Sequence, residues 1–201
     1  TPTLGGQGKF GEALSFDGNN DYVQPGVISE LVSPSAFSVS LWFRRAMDHM
    51  GVTNDTTNSV NNILIAQSSS SSNDNLEIGT EGDAVEVYLD TAELGGPIPP
   101  VSQPASLQND HWHHLVVSYD SNDVNELKLF VDGSLISENS NYGGLVTDSG
   151  TSPFTIGLAR PGFNSMGDFE GLIDDVAVWD EGLDAEHVSA LFTGARPLLP
   201  L

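Results

Sequence analysis

Oxygen donors crowd one early corner of the chain. In Ala13-Leu14-Ser15-Phe16-Asp17-Gly18-Asn19-Asn20-Asp21-Tyr22-Val23, a bend that needs one or two turn-forming residues carries five in a row, two of them carboxylates. Gly18 lets the backbone curl sharply there. A hard cation such as calcium takes roughly six to eight oxygens from carboxylates, amides, backbone carbonyls and water. Asp17, Asn19, Asn20 and Asp21 offer that chemistry. A second pair of carboxylates, Asp174 and Asp175, stands in Gly171-Leu172-Ile173-Asp174-Asp175-Val176, at the start of an apolar strand. Charges entering a core are costly without a counter-charge. An ion between the first and last strands would neutralise Asp17 and Asp174 and tie the termini together, with Asp21, Asn20 and Asp175 as further ligands. The alternative is that Asp17 makes only a turn bond and Asp174 is solvated. The spacing is not that of the twelve-residue helix-loop-helix calcium loop, because no glutamate closes Asp17–Asp21 at the required offset.

Other chemistries find less support. Neighbouring residues of a strand point to opposite faces, so His113 and His114 do not easily share one ion. His111 and His113 could share a face but lack obvious further ligands. These histidines read as strand residues, with one ring packed beside Trp112. Trp42, Trp112 and Trp179 read as core or edge aromatics, and Arg44 and Arg45 as partners for carboxylates. No serine lies in Gly-x-Ser-x-Gly, and no phosphate loop or dinucleotide fingerprint occurs. Cysteine is absent, which removes disulfides, thiolate metal sites and thiol nucleophiles.

The elements that must position these groups are short strands. Phe37, Val39, Leu41 and Phe43 alternate with Ser38, Ser40 and Trp42, the period-two pattern of a half-buried strand. Similar runs lie at 62–67, 76–79, 84–89, 112–119, 126–131, 153–158 and 172–179, separated by turn clusters. Asp132-Gly133, between ELKLFV and SLIS, supplies the positive φ angles of a tight hairpin. Many strands at this spacing predict an all-β antiparallel sandwich. One helix is expected near the end: Asp184 caps it, Glu186 sits in its first turn, Val188, Leu191 and Phe192 form an apolar face, and Gly194 and Pro197 stop it. We expect it to plug one end of the sandwich. Three segments read as surface loops: 47–61, the serine-rich 67–75, and 91–106, rich in Gly and Pro.

The chain of 201 residues carries 28 acidic against 6 basic side chains, a formal net charge of −22. Such a surface repels phosphate backbones and anionic membranes, which excludes nucleic acid as an expected partner. No run of about 18 apolar residues is present, so no membrane-inserted helix is expected. The length suits one domain, 1–201, with its core at about 10–192. Because the sequence starts at Thr1-Pro2-Thr3 without a leader, we expect a module from a longer protein.

FGEALSFDGNNDYV, AFSVSLWFRR, WHHLVVSYD…LKLFVDG and GLIDDVAVWDEGLDAEHVSALF follow one another in order. That succession resembles the laminin G-like, concanavalin A-like jelly-roll superfamily in its bacterial extracellular branch. The resemblance implies two packed antiparallel sheets, a structural calcium ion near Asp17 and Asp174, and glycan or protein ligands. Some relatives hydrolyse β-glucans with carboxylates on alternate residues of one strand, about 5 Å apart. Here Glu170, Asp174 and Asp175 do not alternate, and Val176, Ala177 and Val178 fill the positions a second carboxylate would need. The expectation is therefore a non-catalytic, calcium-stabilised, lectin-like module of a secreted or cell-surface protein. Its ligand would be carbohydrate, met at a rim or on the concave sheet through the long loops, with Asn54, Asn141, Tyr142, Phe163 and Asn164 as contacts. The alternatives are an adhesion or spacer module with a protein ligand or none, and an unrecognised glycoside hydrolase or lyase.

Overall fold

The strand Ala36–Arg45 shows how the molecule is layered. Phe37, Val39, Leu41 and Phe43 enter the main core, and the outward Ser38, Ser40 and Trp42 are also covered, at 0, 3 and 3 % exposure. Alternation has separated two chemistries onto two faces, and both faces are then buried.

The computed structural model describes residues 1–46, 60, 62–70, 73–92, 101–124, 126–146, 152–158 and 168–194; of 68–70, 73–75, 101, 102 and 104 only the backbone is described. Its elements are β1 (Thr3–Gln7), β2 (Glu12–Asp17), β3 (Val23–Gly26), β4 (Ala36–Arg45), β5 (Ile65–Ser70), β6 (Asn73–Glu81), β7 (Ala84–Leu89), β8 (Val101–Pro104), β9 (His113–Asp120), β10 (Leu127–Val131), β11 (Ser134–Asn139), β12 (Phe154–Ile156), β13 (Glu170–Trp179) and helix α1 (Ala185–Phe192). One sheet runs β1-β2-β13-β4-β9-β10-β11 and the other β3-β12-β5-β6-β7-β8, with antiparallel pairing of named strands throughout. Strand β13, late in the chain, lies between β2 and β4.

The core fills the space between the sheets. Phe16, Phe43, Leu115, Val117, Leu129 and Ile173 come from the first sheet, and Ile65, Ile78, Val85, Val87 and Phe154 from the second. Truncating one such phenylalanine to alanine typically costs about 3–5 kcal/mol. The expected two-sheet jelly roll is what forms. Asp132 and Gly133 take φ of 49° and 76°, and Val131 pairs with Ser134 across a two-residue turn, as the Asp-Gly signal requires.

Three expectations are corrected. The serine-rich stretch is not simply a loop: β5 runs to Ser70 and β6 begins at Asn73, so the serines extend a hairpin. The segment 91–106 contains edge strand β8. Helix α1 starts at its Asp184 cap as expected, and Asp184 Oδ1 accepts from His187 N–H at 2.9 Å. It does not plug an end of the sandwich. It lies on the outer face of the first sheet, where Val188 joins Val116, Phe130 and Leu183 in a second cluster. The helix has one narrow apolar stripe, and the outward side chains of β9 and β10 are the apolar surface able to bury it.

Candidate functional site

The two carboxylate pairs do not meet. In the β2–β13 ladder Asp17 pairs with Glu170, and Asp174 lies four residues further along β13. That separation is about 13 Å, whereas calcium holds its ligands at about 2.3–2.6 Å. The single clamp expected from Asp17, Asn20, Asp21, Asp174 and Asp175 is therefore corrected to two separate structures.

At the first, the corner satisfies its own backbone. Asp17 Oδ1 accepts from Asn19 N–H at 2.9 Å, and Asp21 Oδ2 accepts from Asp17 N–H at 3.2 Å. Asn20 takes a left-handed φ of 59°, and its N–H donates at 2.8 Å to Asp168 Oδ2, a carboxylate the sequence reading did not single out. Asp21 is buried, and Asp17 and Asn20 are exposed.

At the second, β13 bulges. Its pairing with β4 slips between Asp174 and Ala177, and Asp175 is left-handed at φ 47°. The extra residue re-aims Asp174. Asp174 Oδ2 accepts from Phe10 N–H at 3.0 Å, and Oδ1 from Asp175 N–H at 2.9 Å. Asp174 thus latches the β1–β2 turn, where a Cβ on Gly8 would lie 2.6 Å from its Oδ2. It is buried and hydrogen-bonded rather than solvated; Asp175 is exposed. Among the described residues no group of three or more His, Asp or Glu side chains is placed to hold a metal ion.

His113 and His114 point to opposite faces, as expected. His113 Nε2 accepts from Gln108 N–H at 3.0 Å, which leaves the proton on Nδ1, and Nδ1 donates to Asp132 Oδ2 at 2.8 Å. Asp132 Oδ1 also accepts from His114 N–H. Burial opposes the charge on Asp132, but these hydrogen bonds and the neighbouring histidines prevail and hold its carboxyl below the usual range. On the other side of β9, His114 sits 4.9 Å from the Trp42 ring, with Nε2 2.9 Å from Ser40 Oγ, and burial lowers its pKa to about 4. Arg45 is buried and donates to Leu107 O; Arg44 approaches Asp110 at 3.9 Å.

The expected ligand contacts fare differently. Tyr142 is 2 % exposed within the main core, its carbonyl accepts from Tyr119 O–H at 2.6 Å, and burial pushes its phenol up to about 12. It is not a sugar platform, which corrects that assignment. Asn141 is exposed, and its N–H donates to Asn139 Oδ1. Asn54, Phe163 and Asn164 lie outside the described residues.

Polar groups gather on the outer face of the second sheet instead. Leu76, Ile78, Val85, Val87 and Leu89 point inward, so Glu77, Glu86 and Tyr88 point out. Glu77 pairs with Tyr88 and Gly79 with Glu86, which places the two glutamates diagonally across β6 and β7. All three are buried, at 4, 5 and 6 %, and each is engaged by neighbours. Tyr88 O–H donates to half-buried Asp90 at 2.8 Å, and the ring packs with Val60, Ile63 and Ala66. The signal was present in AVEVYL, whose alternation marks Glu86 and Tyr88 as one face. It was overlooked because paired carboxylates were sought along one strand rather than across two.

A small recess of about 60 Å³ also opens between the β9–β10 end and Gly182–Asp184. Of its acids, Asp120 accepts from Asn122, Asp123 pairs with Lys128 and Asp184 caps α1, while Glu126 Oε2 is buried without a hydrogen-bond partner.

Two antiparallel sheets with this strand order define a jelly-roll sandwich. Residues 17–189 match the family described as the concanavalin A-like lectin/glucanases superfamily, and the chain belongs to it. No curated protein matches the sequence. Among solved structures it is similar to the heptameric SAP-like pentraxin of Limulus polyphemus, with 17 % identity, TM-score 0.65 and coverage of 91 % of this chain and 83 % of that one. Domain 4 of AbnA, a GH43 extracellular arabinanase of Geobacillus stearothermophilus solved with arabinotriose, gives 19 %, 0.65, 95 % and 81 %. The CBM40 of the Ruminococcus gnavus IT-sialidase, bound to α2,3 sialyllactose, gives 14 %, 0.63, 90 % and 95 %.

Proposed function

We propose that this chain is a non-catalytic carbohydrate-recognition module of a secreted or cell-surface protein, and that the glycan meets the second sheet at Asp90, just beyond the end of β7. The observation that carries the reading is the half-buried Asp90 carboxylate, oriented by the buried Tyr88 hydroxyl at 2.8 Å. A carboxylate accepts hydrogen bonds from sugar hydroxyls, and a second partner that fixes its orientation prepares it to do so. The similar fold of modules solved with sialyllactose and arabinotriose supports a sugar as the class to test first. Titration with these two glycans and a broad array tests it. We expect specific binding that is lost in Asp90→Ala and weakened in Tyr88→Phe with the fold intact. Silence across the array, or binding indifferent to both changes, overturns it in favour of a spacer or protein-binding module.

Calcium enters the proposal at the Asp17–Asp21 corner alone, where Asp17, Asn20 and Asp21 offer side-chain oxygens that backbone carbonyls and water would complete. A cation bound only by the folded state raises the unfolding midpoint by mass action. Calcium added to metal-stripped protein is expected to raise the melt, and less so in Asp21→Asn; an unchanged melt sinks this part.

One observation favours a second reading. Diagonal neighbours across two strands lie about 7 Å apart, within the roughly 6.5–9.5 Å that separates the acid and base of an inverting glycosidase. The burial of Glu77 and Glu86 leaves no room for the water such a pair activates, so binding is the preferred reading. Release of reducing ends from arabinan or other polysaccharides, lost in Glu77→Gln, would reverse that preference.

A further inference from the structure

Helix α1 meets the first sheet over a histidine. Phe192, at the end of the helix, stacks on Trp42 at 5.6 Å and 17°, and its ring lies 6.1 Å from His114. His114 is 1 % exposed; its Nε2 is satisfied by Ser40, while its Nδ1 is buried without a hydrogen-bond partner. A neutral imidazole tolerates that placement better than a charged one, because a buried N–H⁺ with no acceptor forfeits its hydration. We propose that helix α1 is an acid-released clasp: protonation of His114 lifts Phe192 and the helix from the outer face of the first sheet while both sheets stay paired.

The release is local because of what covers the ring. His114 belongs to β9, whose ladders to β4 and β10 run through Trp42, Phe43, Val116 and Val117. Opening those ladders to hydrate one ring would expose the main core. Lifting α1 exposes Val188 and the half-buried Leu191 on the helix and Trp42, Val116, Phe130 and Leu183 on the face it covers, while the core between the sheets stays closed. Marginal peripheral elements open at lower free energy than core strands.

The charges around the ring are few. From the β1–β2 turn comes Lys9, whose Nζ stands 4.0 Å from the Trp42 ring centroid, and from the β10–β11 turn comes Asp132. Burial is the main force against the proton on His114; Lys9 adds to it, and Asp132 works in the opposite sense. Asp132 stays ionised until well below the histidine range, so it is no second switch in this window. The helix brings Phe192 to the ring, and its titratable Glu186 and His187 are exposed in the first turn. The undocking equilibrium should shift toward release by up to tenfold per pH unit between about 6.5 and about 4.

Hydrogen exchange of the whole chain between pH 7 and pH 4.5, corrected for the intrinsic rate, reads the release directly. Amides of residues 188–192 are expected to lose protection more than tenfold while β4, β9 and β10 keep theirs. In His114→Gln, which retains a partner for Ser40 but does not titrate, that loss is expected to vanish. Helix protection that does not change with pH, that falls equally in His114→Gln, or that falls only together with the strands overturns the proposal. Should His114→Gln fail to fold, Phe192→Ala gives an independent reading by proton NMR. With the clasp already loosened, His114 should titrate in the ordinary histidine range; a ring still titrating near pH 4 counts against the proposal.

Discussion

The two outer faces of the sandwich are made by the same alternation and finished differently. On the first sheet Trp42, Val116 and Phe130 stand outward beside Ser38 and Ser40, and the chain lays its own helix over the apolar group. On the second the outward residues include Glu77, Glu86 and Tyr88, which are buried and require polar partners. One face buries a helix of the same chain, whereas the other covers carboxylates and a phenol and ends at half-buried Asp90, the proposed glycan contact. Buried carboxylates in the outward set, rather than strand geometry, separate the two.

The comparison is broken most severely from the first face. Trp42→Ala removes the ring that contacts Phe10, His114 and Phe192, and is expected to cost about 3–5 kcal/mol in chemical denaturation. A loss below 1 kcal/mol would mean that the covered face is not where stability resides. The next effect is that of pH. The folded pKa of His114 lies near 4, against an ordinary 6.5, so the unfolded chain binds the extra proton first. Its contribution is therefore fully present above about pH 6.5 and is lost as pH falls toward 4, by about 3 kcal/mol in all. Denaturant titrations at pH 7 and pH 4.5, on wild type and His114→Gln, isolate it. Gly8→Ala should cost about 1–3 kcal/mol, because its methyl meets the Asp174 oxygen that holds the β1–β2 turn. The smallest change in stability sharpens the contrast: Tyr88→Phe forfeits the bond to Asp90, about 1 kcal/mol, while loosening the proposed glycan contact. A variant that loses stability as severely as Trp42→Ala would place Tyr88 with the structural face instead.

Local signals in the sequence predicted local structure well. AVEVYL coincides with β7, Asp-Gly makes its two-residue turn, and Asp184 caps the helix, because each of these is decided within a few residues. The site was less legible. Asp174 and Asp175 read as a ligand pair because adjacency in sequence conceals a bulge, and the bulge sends one carboxylate to Phe10, 164 residues away, while the other residue is exposed. Tyr142, amid Asn, Ser and Gly, carries the composition of an exposed turn, yet it packs into the main core, and Tyr119 of β9, distant in sequence, holds its carbonyl. The helix was foreseen but not its seat, since an apolar stripe of three residues fits any apolar surface that the fold leaves open.

Strand β13 sits between β2 and β4, and its bulge supplies the latch for the β1–β2 turn. During synthesis this means that the β1–β2 hairpin and β4 must wait, each with a free edge, until β13 emerges. Pairings of such long sequence separation are slow to form, and open edges invite strands from other chains meanwhile. The period of greatest risk for this molecule is thus the interval before its thirteenth strand arrives, when a surface of formal net charge −22 has a second use in holding nascent copies apart.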